Sequence, residues 1–552
     1  MAEVAFLWHM HQPDYRHPES GEFVLPWVLL HAIKDYADMA GHLERHPAIR
    51  CTVNFVPVLL DQIEDYADQF ASRTWRDPLL AVAACREPDR LSREDRDWLL
   101  DMAFRCHAPT MLEPFAPYRR LRDLHVFVQG HDGPGIDYLS GQYFADLATW
   151  TLLAWSGETL RRDGTAIPEL MAKGAGFTLA DRDCLLTTLG GVVANLIPRY
   201  RALAERGQIE LACTPGAHPL APLLLDFASA RESWPDCPLP EAPEYPGGRS
   251  RAQAHLECAR ASHTRRFGQP PAGLWPAEGA LSQAFLAQIG EAGFAWTASS
   301  QSVLKNSAGP EASVNRPWQA PAGTPGSLTL FFRNERLSDL IGFEYAKWHG
   351  RDAAAHFIAE LEVAATRDPA AVVPVFLDGE NAWEYYPYNA WYFFEDLYGA
   401  LEEHASLATT TLGAAAADRQ EDRSALPKLT AGSWVYGTFS TWIGDPAKNR
   451  AWELLCDAKQ CADRALDSSR LAPAEREAVA ARLAVCESSD WFWWFGDYNP
   501  PQSVASFDAL FRDNLKALYR LLRLPVPAAL EHPISQGGGA AESGVSTQPM
   551  RL

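Results

Sequence analysis

Residues 372–387, with the sequence VVPVFLDGENAWEYYP, decide the fold of this chain. The first six residues, 372–377, are mostly branched and apolar, which is typical of a parallel strand buried on both faces. The run stops at Asp378, so the strand ends in a carboxylate. Gly379 allows the backbone to turn sharply there, and Trp383 with two tyrosines follows. The stretch therefore predicts a buried strand that presents an acid to an aromatic edge.

Six further strand candidates precede this one, and helical patterns separate them. They lie at residues 4–8, 51–55, 209–212, the segment that begins at 273, 294–298 and 328–333. Alternation of strands and helices predicts a parallel sheet. No glycine-rich phosphate loop follows any of the strands, which argues against nucleotide binding. We therefore expect an α/β fold, a (β/α)7 barrel with a helical insertion and a C-terminal helical domain.

Composition divides the chain into three parts. Residues 1–404 hold the predicted catalytic barrel, with a helical insertion over about residues 61–194 in which no strand is evident. Residues 405–528 are predicted to form the helical domain, and its aromatic, glycine-rich loops are expected to fold back to the active site. Residues 529–552 have low complexity, and we expect a disordered tail.

Charge and hydropathy exclude several classes of partner. The formal net charge of -21 argues against binding to nucleic acid or an anionic membrane, because both attract basic surfaces. No uncharged apolar run reaches about 18 residues, the length that a spanning helix needs. The N-terminus lacks the basic start and cleavage site of a signal peptide, so we expect a cytoplasmic protein. The ten cysteines contain no CxxC pair, which favours reduced thiols. The sequence gives no indication of the oligomeric state.

Two acids are predicted to meet at one face of the barrel. Glu278 follows the strand candidate that begins at residue 273, and Asp378 ends the strand described first. The C-terminal ends of barrel strands converge, so distant residues share a site there. A helix cap is the ordinary role for a strand-end Asp, and barrels also place acids at this face for metals. Two carboxylates are nevertheless what hydrolysis of a glycosidic bond requires.

Five short motifs occur in the order found in a known family. They are HQP at 11–13, GQIEL at 207–211, WPAEG at 275–279, FLDGENAW at 376–383 and FSTWIG at 439–444. Together they resemble glycoside hydrolase family 57. The resemblance implies a seven-stranded β/α barrel that acts on α-glucans or malto-oligosaccharides by a retaining mechanism, with no cofactor and no metal.

The same resemblance implies roles for the two acids. Glu278 matches the family's nucleophile, and Asp378 matches its general acid/base. For this role Asp378 must hold a proton near neutral pH, so we expect aromatic burial and the charge of Glu278 to raise its pKa.

Residues around these acids are candidates for binding the substrate. His11 of the HQP motif is expected to bond to sugar hydroxyls, with His9 beside it, and Glu210 is expected to have a supporting role and to be the next candidate nucleophile. Arg333 and Asp339 are expected to bind the scissile sugar, or to form a structural ion pair. The remaining candidates are His218 and the possible stacking platforms Trp275, Trp383, Trp442, Trp491 and Trp494.

Other functions stay open at this stage. A metal-dependent polysaccharide deacetylase is one, suggested by His9 and His11 and by the pair His42 and His46, whose spacing on a helix suits a metal. A non-catalytic glucan-binding protein is another. Within the family, amylase, amylopullulanase, 4-α-glucanotransferase and branching activities share the same carboxylates. The sequence GSWVYGTFSTWIG favours the amylase and amylopullulanase members, and thus hydrolysis of α-1,4 and possibly α-1,6 links.

Overall fold

The computed structural model of the chain describes residues 2–129, 135–468 and 470–539. Ten strands in this part of the chain join in one sheet. They are β1 (Ala2–Met10), β2 (Cys51–Phe55), β3 (Ile209–Cys213), β4 (Gly273–Leu274), β5 (Trp296–Ser300), β6 (Trp318–Gln319), β7 (Thr329–Arg333), β8 (Val372–Asp378), β9 (Leu407–Thr410) and β10 (Ser424–Ala425).

Seven of these strands run parallel in the order β7-β5-β4-β3-β2-β1-β8. The two outer strands of this series, β7 and β8, lie close together. The backbone N–H of Asn334, just after β7, donates to the carbonyl of Pro374 in β8 at 2.8 Å. The sheet is thus curled into a barrel. These are the seven strands that the sequence predicts, and the α/β barrel fold is confirmed.

Three short strands extend this sheet beyond the predicted set. β9 pairs parallel with β1, β6 pairs antiparallel with β7, and β10 pairs with β6. The predicted boundary at residue 405 is therefore too early, since Leu407–Thr410 belongs to the barrel sheet. The threonines of β9 suit a strand, and the Thr409 hydroxyl accepts a hydrogen bond from Arg50 N at 2.7 Å.

In the described residues of the predicted insertion, all the regular secondary structure is helical. No strand lies between residues 61 and 194, leaving aside residues 130–134, which are outside the described part. The α-helices are Pro57–Ser72, Pro78–Ala84, Arg93–Met102, Ala108–Met111, Ala116–Gln129, Gly141–Ala154, Glu158–Asp163, Ala166–Lys173 and Leu179–Glu205. The last of them starts with a capping box between Thr178 and Asp181, which satisfies its first backbone N–H groups.

The other helices connect the strands or follow the sheet. Those within the barrel are Trp27–His31, Ala37–Arg45, Ala221–Leu225, Ala230–Ser233, Gly248–Phe267, Gln283–Glu291, Gln301–Ala308, Glu335–Asp339, Gly350–Arg367, Trp391–Glu402 and Leu412–Asp418. The C-terminal helices are Pro446–Asp467, Pro473–Cys486, Ser489–Trp494 and Pro501–Leu521. None of the helices in the described ranges is both long and apolar enough to cross a bilayer.

The first part of the predicted tail is ordered. Ala528–Glu531 forms a 3-10 helix, and the backbone N–H groups of Ile534 and Ser535 donate to Asp508 Oδ1 at 2.7 and 3.1 Å. Ser535 is buried, and its hydroxyl accepts from Gly496 N at 3.0 Å. The prediction of disorder from residue 529 is therefore wrong as far as residue 539, because a buried carboxylate fixes this segment. Residues 540–552 lie outside the described part of the chain.

Candidate active site

A cavity of about 1100 Å³ opens at the C-terminal ends of the barrel strands. Glu278 and Asp378 both line it. Six of the predicted binding residues line it as well, namely His9, His11, His218, Arg333, Asp339 and Trp494. The barrel thus brings together side chains that lie up to 485 positions apart in the sequence.

Glu278 sits in a strained turn directly after β4. It belongs to the 3-10 turn Ala277–Gly279, with φ 59° and ψ 22°, a left-handed conformation that is unfavourable for a residue other than glycine. Its side chain is nine-tenths buried. Trp434 Nε1 donates to Glu278 Oε2 at 3.0 Å, and the Ser489 hydroxyl lies 3.1 Å from Oε1. These contacts fix the orientation of the carboxyl group towards the cavity.

Burial raises the pKa of Glu278 to about 8. The negative charge of Asp490 adds to this effect and that of Asp378 contributes further, whereas hydrogen bonds from Trp434 and Ser489 oppose it. Asp378 therefore influences Glu278 electrostatically across the cavity.

Asp378 is the last residue of β8, and Asn381 Nδ2 donates to its Oδ2 at 2.8 Å. Burial raises the pKa of Asp378 to about 6, although the Asn381 bond and the electrostatic interactions with His11 and Arg333 lower it. Burial thus raises the pKa of Asp378, as expected. The repulsion between the two carboxylates, which was expected to raise the pKa of Asp378 as well, raises that of Glu278. Each acid retains its proton to a higher pH than an exposed carboxyl group does.

Three histidines form a buried cluster beside Glu278. The rings of His11 and His218 are stacked with their centroids 3.6 Å apart, and His9 Nε2 lies 3.3 Å from His218 Nε2. His11 Nε2 bonds to both oxygens of Asp490 at 2.9 and 3.0 Å. Burial lowers the pKa of His9 to about 3 and lowers that of His218 well below its usual value, so both rings are neutral near pH 7.

Arg333 and Asp339 form an ion pair at the rim of the cavity. Arg333 Nη2 lies 2.7 Å from Asp339 Oδ1, and Arg333 Nε donates to the carbonyl of Phe376 at 2.9 Å. The guanidinium carbon also lies 5.9 Å from the centre of the Trp434 ring. The structural pairing that the sequence left open is therefore present, and it holds both side chains against the cavity.

Five predicted binding residues do not line this cavity. Four tryptophans, Trp275, Trp383, Trp442 and Trp491, are fully buried in the core. Trp383 Nε1 donates to Gly379 O and Trp491 Nε1 to Val485 O, both at 2.8 Å, so these indoles brace loops rather than face the cavity. Glu210 lies near the start of β3, where Trp296 Nε1, Gly413 N and the Thr52 hydroxyl donate to it at 2.7, 2.7 and 3.1 Å.

Several residues at the site are absent from the predicted set. Trp434, Trp493, Ser489 and Asp490 line the cavity or bond to a residue that does. All come from the two C-terminal loops, residues 432–445 and 488–500, the second of which contains the short helix Ser489–Trp494. Glu380 lines it as well and accepts from His11 N at 3.2 Å. The polar Ser-Ser-Asp triplet at 488–490 was the available signal, because a helix start needs one cap, which Ser488 supplies by accepting from Asp490 N, and the other two side chains then have another role.

One group of side chains among the described residues could hold a metal ion. Ligand atoms of His11, His218 and Asp490 lie within 4.8 Å of one another. Hydrogen bonds already use these atoms, because His11 pairs with Asp490 and both ring nitrogens of His218 have partners. The other candidate pair, His42 and His46, does not line the cavity and lies instead beside Glu395 and Glu402.

Residues 5–427 match the model of Glycosyl hydrolase family 57. The chain belongs to this family. The match covers the barrel with both carboxylates, His9, His11 and His218, and it ends before the two C-terminal loops that supply Trp434 and Ser489.

Solved structures share the fold of this family 57 protein at low sequence identity, and no curated protein matches it. A branching enzyme of Thermococcus kodakaraensis has 14% identity and a TM-score of 0.57, with 100% of both chains covered. An α-amylase of Thermotoga maritima has 13% identity and a TM-score of 0.57, covering 94% of this chain and 93% of that one. A 4-α-glucanotransferase of Thermococcus litoralis has 14% identity and a TM-score of 0.50, covering 94% and 60%.

Proposed function

We propose that this protein is a retaining glycoside hydrolase that cleaves α-1,4 links of α-glucans, with α-1,6 links as a further target. The observation that carries the proposal is the presence of two carboxyl groups, buried Glu278 and partly buried Asp378, in one cavity at the mouth of the barrel. Family membership supports it, since the family name denotes glycosyl hydrolysis. Trp493 and Trp494 on the cavity wall add aromatic surface on which sugar rings stack.

In the first half of the reaction, ionised Glu278 attacks the anomeric carbon. A bond forms between its carboxylate oxygen and that carbon, while the bond to the leaving sugar breaks. Asp378 gives its proton to the departing glycosidic oxygen. The raised pKa of Asp378, about 6, favours this step, because a larger fraction of the group keeps its proton near neutral pH than at the ordinary acidity of an aspartate.

In the second half, Asp378 acts as a base. It takes a proton from a water molecule, whose oxygen attacks the anomeric carbon and releases Glu278 as a carboxylate. Trp434 and Ser489 then donate hydrogen bonds to that carboxylate, so the leaving group is stabilised as its charge appears. A sugar hydroxyl in place of the water would give transfer, which is the 4-α-glucanotransferase or branching alternative.

Product chromatography tests the proposal. We expect maltoheptaose to give shorter oligomers, and proton NMR to show that the first product has the α configuration, as double displacement requires. Longer oligomers would indicate a transferase, and cleavage of pullulan would establish action on α-1,6 links. An intact substrate after prolonged incubation, with Glu278→Gln protein giving the same trace, would reject glucan cleavage.

A further inference from the structure

A chain of hydrogen bonds leads from Glu278 into the interior of the barrel. Ser489 Oγ lies 3.1 Å from Glu278 Oε1, and His218 Nδ1 lies 2.8 Å from Ser489 Oγ. His218 Nε2 lies 3.3 Å from His9 Nε2, and His9 Nδ1 lies 2.6 Å from Asn54 Oδ1. Ser489 and Asn54 have no exposed surface, and His9 and His218 are at most 2% exposed. The chain is therefore almost fully buried, and it borders the cavity at Glu278, His218 and His9.

The inner end of this chain fixes where its protons lie. Asn54 Oδ1 accepts from the Thr214 hydroxyl at 2.8 Å and can only accept from His9, so His9 Nδ1 carries a hydrogen. A neutral imidazole has one N–H, which leaves His9 Nε2 as an acceptor. His218 Nε2 must then carry the hydrogen between the two rings.

The same reasoning continues to the nucleophile. With its hydrogen on Nε2, neutral His218 has an acceptor at Nδ1, so the Ser489 hydroxyl donates to it. The Ser489 hydroxyl has one hydrogen, so while it donates to His218 its oxygen accepts from protonated Glu278, and it donates to Glu278 Oε1 only when that group is ionised. All four bonds are satisfied together only when Glu278 carries a proton. The raised pKa of Glu278 agrees with this state of the empty site.

We propose that Ser489, His218 and His9 form a proton relay that controls the ionisation of Glu278. The O–H bond of Glu278 breaks as its proton passes to Ser489 Oγ, and the O–H bond of Ser489 breaks as its own proton passes to His218 Nδ1. The result is a Glu278 carboxylate, an unchanged serine and a His218 imidazolium whose Nε2–H still donates to His9. Protons are conserved, and no other reactant is needed.

Some of the groups around Glu278 and His218 favour this proton transfer, and others oppose it. The new carboxylate accepts from Trp434 and Ser489, and it lies 3.8 Å from His218 Nδ1, which then bears a positive charge. Negative charge on Asp490 and Asp378 raises the pKa of Glu278, and burial together with the neighbouring rings of His11 and His9 disfavours a positive charge on His218. The balance among these groups determines when the nucleophile becomes available.

The relay assigns positioning roles to Ser489, which the proposed function uses only as a donor to the Glu278 carboxylate, and to His218 and His9, which it leaves as part of the cavity wall. Ser489 and His218 act on Glu278 through the hydrogen bonds above. His9 acts one step further away, because its Nε2 accepts from His218 and makes His218 Nδ1 a better proton acceptor. The inference that the ionised Glu278 then attacks sugar rests on the proposed function, whereas the relay itself does not.

The test is a titration of Glu278 by NMR in the absence of substrate. The protein is labelled with carboxyl-¹³C glutamate, and the Glu278 signal is assigned as the one lost in Glu278→Gln. In the Ser489→Ala variant we expect Glu278 to bind its proton about tenfold more tightly than in the wild type, because the ionised carboxylate has lost one hydrogen bond. Ser489→Thr keeps the hydroxyl and should restore the wild-type titration.

His9 distinguishes a relay from a single hydrogen bond. His9→Phe removes the acceptor for His218 and should tighten proton binding by Glu278 in the same direction, although His9 does not contact Glu278. In the double variant Ser489→Ala/His9→Phe we expect no further change, because both act through one chain. Where His9→Phe does not fold, His218→Asn takes its place in the same cycle.

Two results would overturn the relay. One is an unchanged Glu278 titration in Ser489→Ala, and the other is an additive effect of the two substitutions in the double variant. The titration is done without glucan, so it can be read whether or not the protein cleaves maltoheptaose. Failure of the wild-type protein to cleave maltoheptaose would refute the proposed function alone. The two proposals can therefore fail separately.

Discussion

The barrel rim and the C-terminal loops contribute different chemistry to the same cavity. The rim supplies the two carboxyl groups, and one of them, Asp378, is simply the last residue of a strand. The loops supply Trp434 and Ser489, which bond to Glu278, and Asp490, whose charge acts on it. The comparison indicates that the barrel provides the reacting groups, whereas the loops modify how readily one of them, Glu278, ionises.

The two loops are held in place by buried charged groups. Glu487, next to the segment that carries Ser489, has no exposed surface and bonds to Arg251, His255 and Tyr245. Lys448 donates to the carbonyls of Thr441 and Phe492 and so ties one loop to the other. The end of β8 holds Asp378 and a strained turn after β4 holds Glu278, while these ionic contacts hold the loop groups.

Loss of the rim nucleophile should have the largest effect. We expect Glu278→Gln to reduce kcat/KM on maltoheptaose by about 10⁴-fold or more, because a covalent intermediate can no longer form. Glu210→Gln is the matched control, since Glu210 is a partly buried strand glutamate outside the cavity. A large loss of activity in a folded Glu210→Gln protein, with Glu278→Gln active, would reverse the assignment.

Asp378→Asn should have a smaller effect that depends on the substrate. We expect a loss of about 10²- to 10⁴-fold on maltoheptaose, because the leaving sugar needs a proton. The first step with α-maltosyl fluoride should be nearly unaffected, since fluoride leaves without one. Burst kinetics with the fluoride measure that step, and an equal loss on both substrates would argue against an acid role for Asp378.

Removing the buried charge of Glu487, which holds the loop that carries Ser489, should reduce the stability of the fold more than it reduces activity. Glu487→Gln leaves Arg251 buried without its charged partner, and we expect the free energy of unfolding to fall by about 3–5 kcal/mol. Burial raises the pKa of Glu487, but Arg251 and His255 outweigh it and hold the value at about 2. Because this pKa is depressed, the stabilisation is present above the ordinary glutamate pKa and is lost as pH falls towards 2.

The helix that carries Arg251 offers a matched control for this measurement. Arg249 pairs with Glu291 at 2.8 Å, but both side chains are exposed. Glu291→Gln should change the free energy of unfolding by less than about 1 kcal/mol. Urea unfolding of both variants measures the difference, and equal losses would mean that burial does not distinguish the two pairs.

The smallest expected effect concerns pH. Activity needs Glu278 ionised and Asp378 protonated, so the pair must hold one proton in total, and kcat/KM should be bell-shaped with limbs near 6 and 8. Asp490→Asn removes a charge that raises the pKa of Glu278, and should move the alkaline limb to lower pH. An unmoved alkaline limb would show that this loop charge does not act on Glu278.

The sequence predicted correctly the place of those site residues that lie at the end of a strand. Branched apolar runs locate the barrel strands, and Asp378 and Arg333 each close one, so their place at the rim follows from the register. The same logic would have excluded Glu210, which is the second residue of β3 and lies far from the C-terminal end of that strand.

The loops were harder to predict because their side-chain directions depend on tertiary contacts. An aromatic run draws attention to its tryptophans, yet Trp491 is core while Ser489 and Asp490 beside it reach the site. The low complexity of residues 529–539 suggested disorder, but the composition does not reveal that Asp508, on a distant helix, bonds to this segment.

The left-handed backbone of Glu278 has a consequence for engineering. A side chain at φ 59° makes the folded state less favourable, whereas glycine adopts this conformation without strain. Glu278→Gly should therefore melt at a higher temperature than the active protein, which differential scanning calorimetry can measure. Selection for heat resistance alone would then favour an inactive barrel, so directed evolution of this scaffold has to screen for turnover at every round.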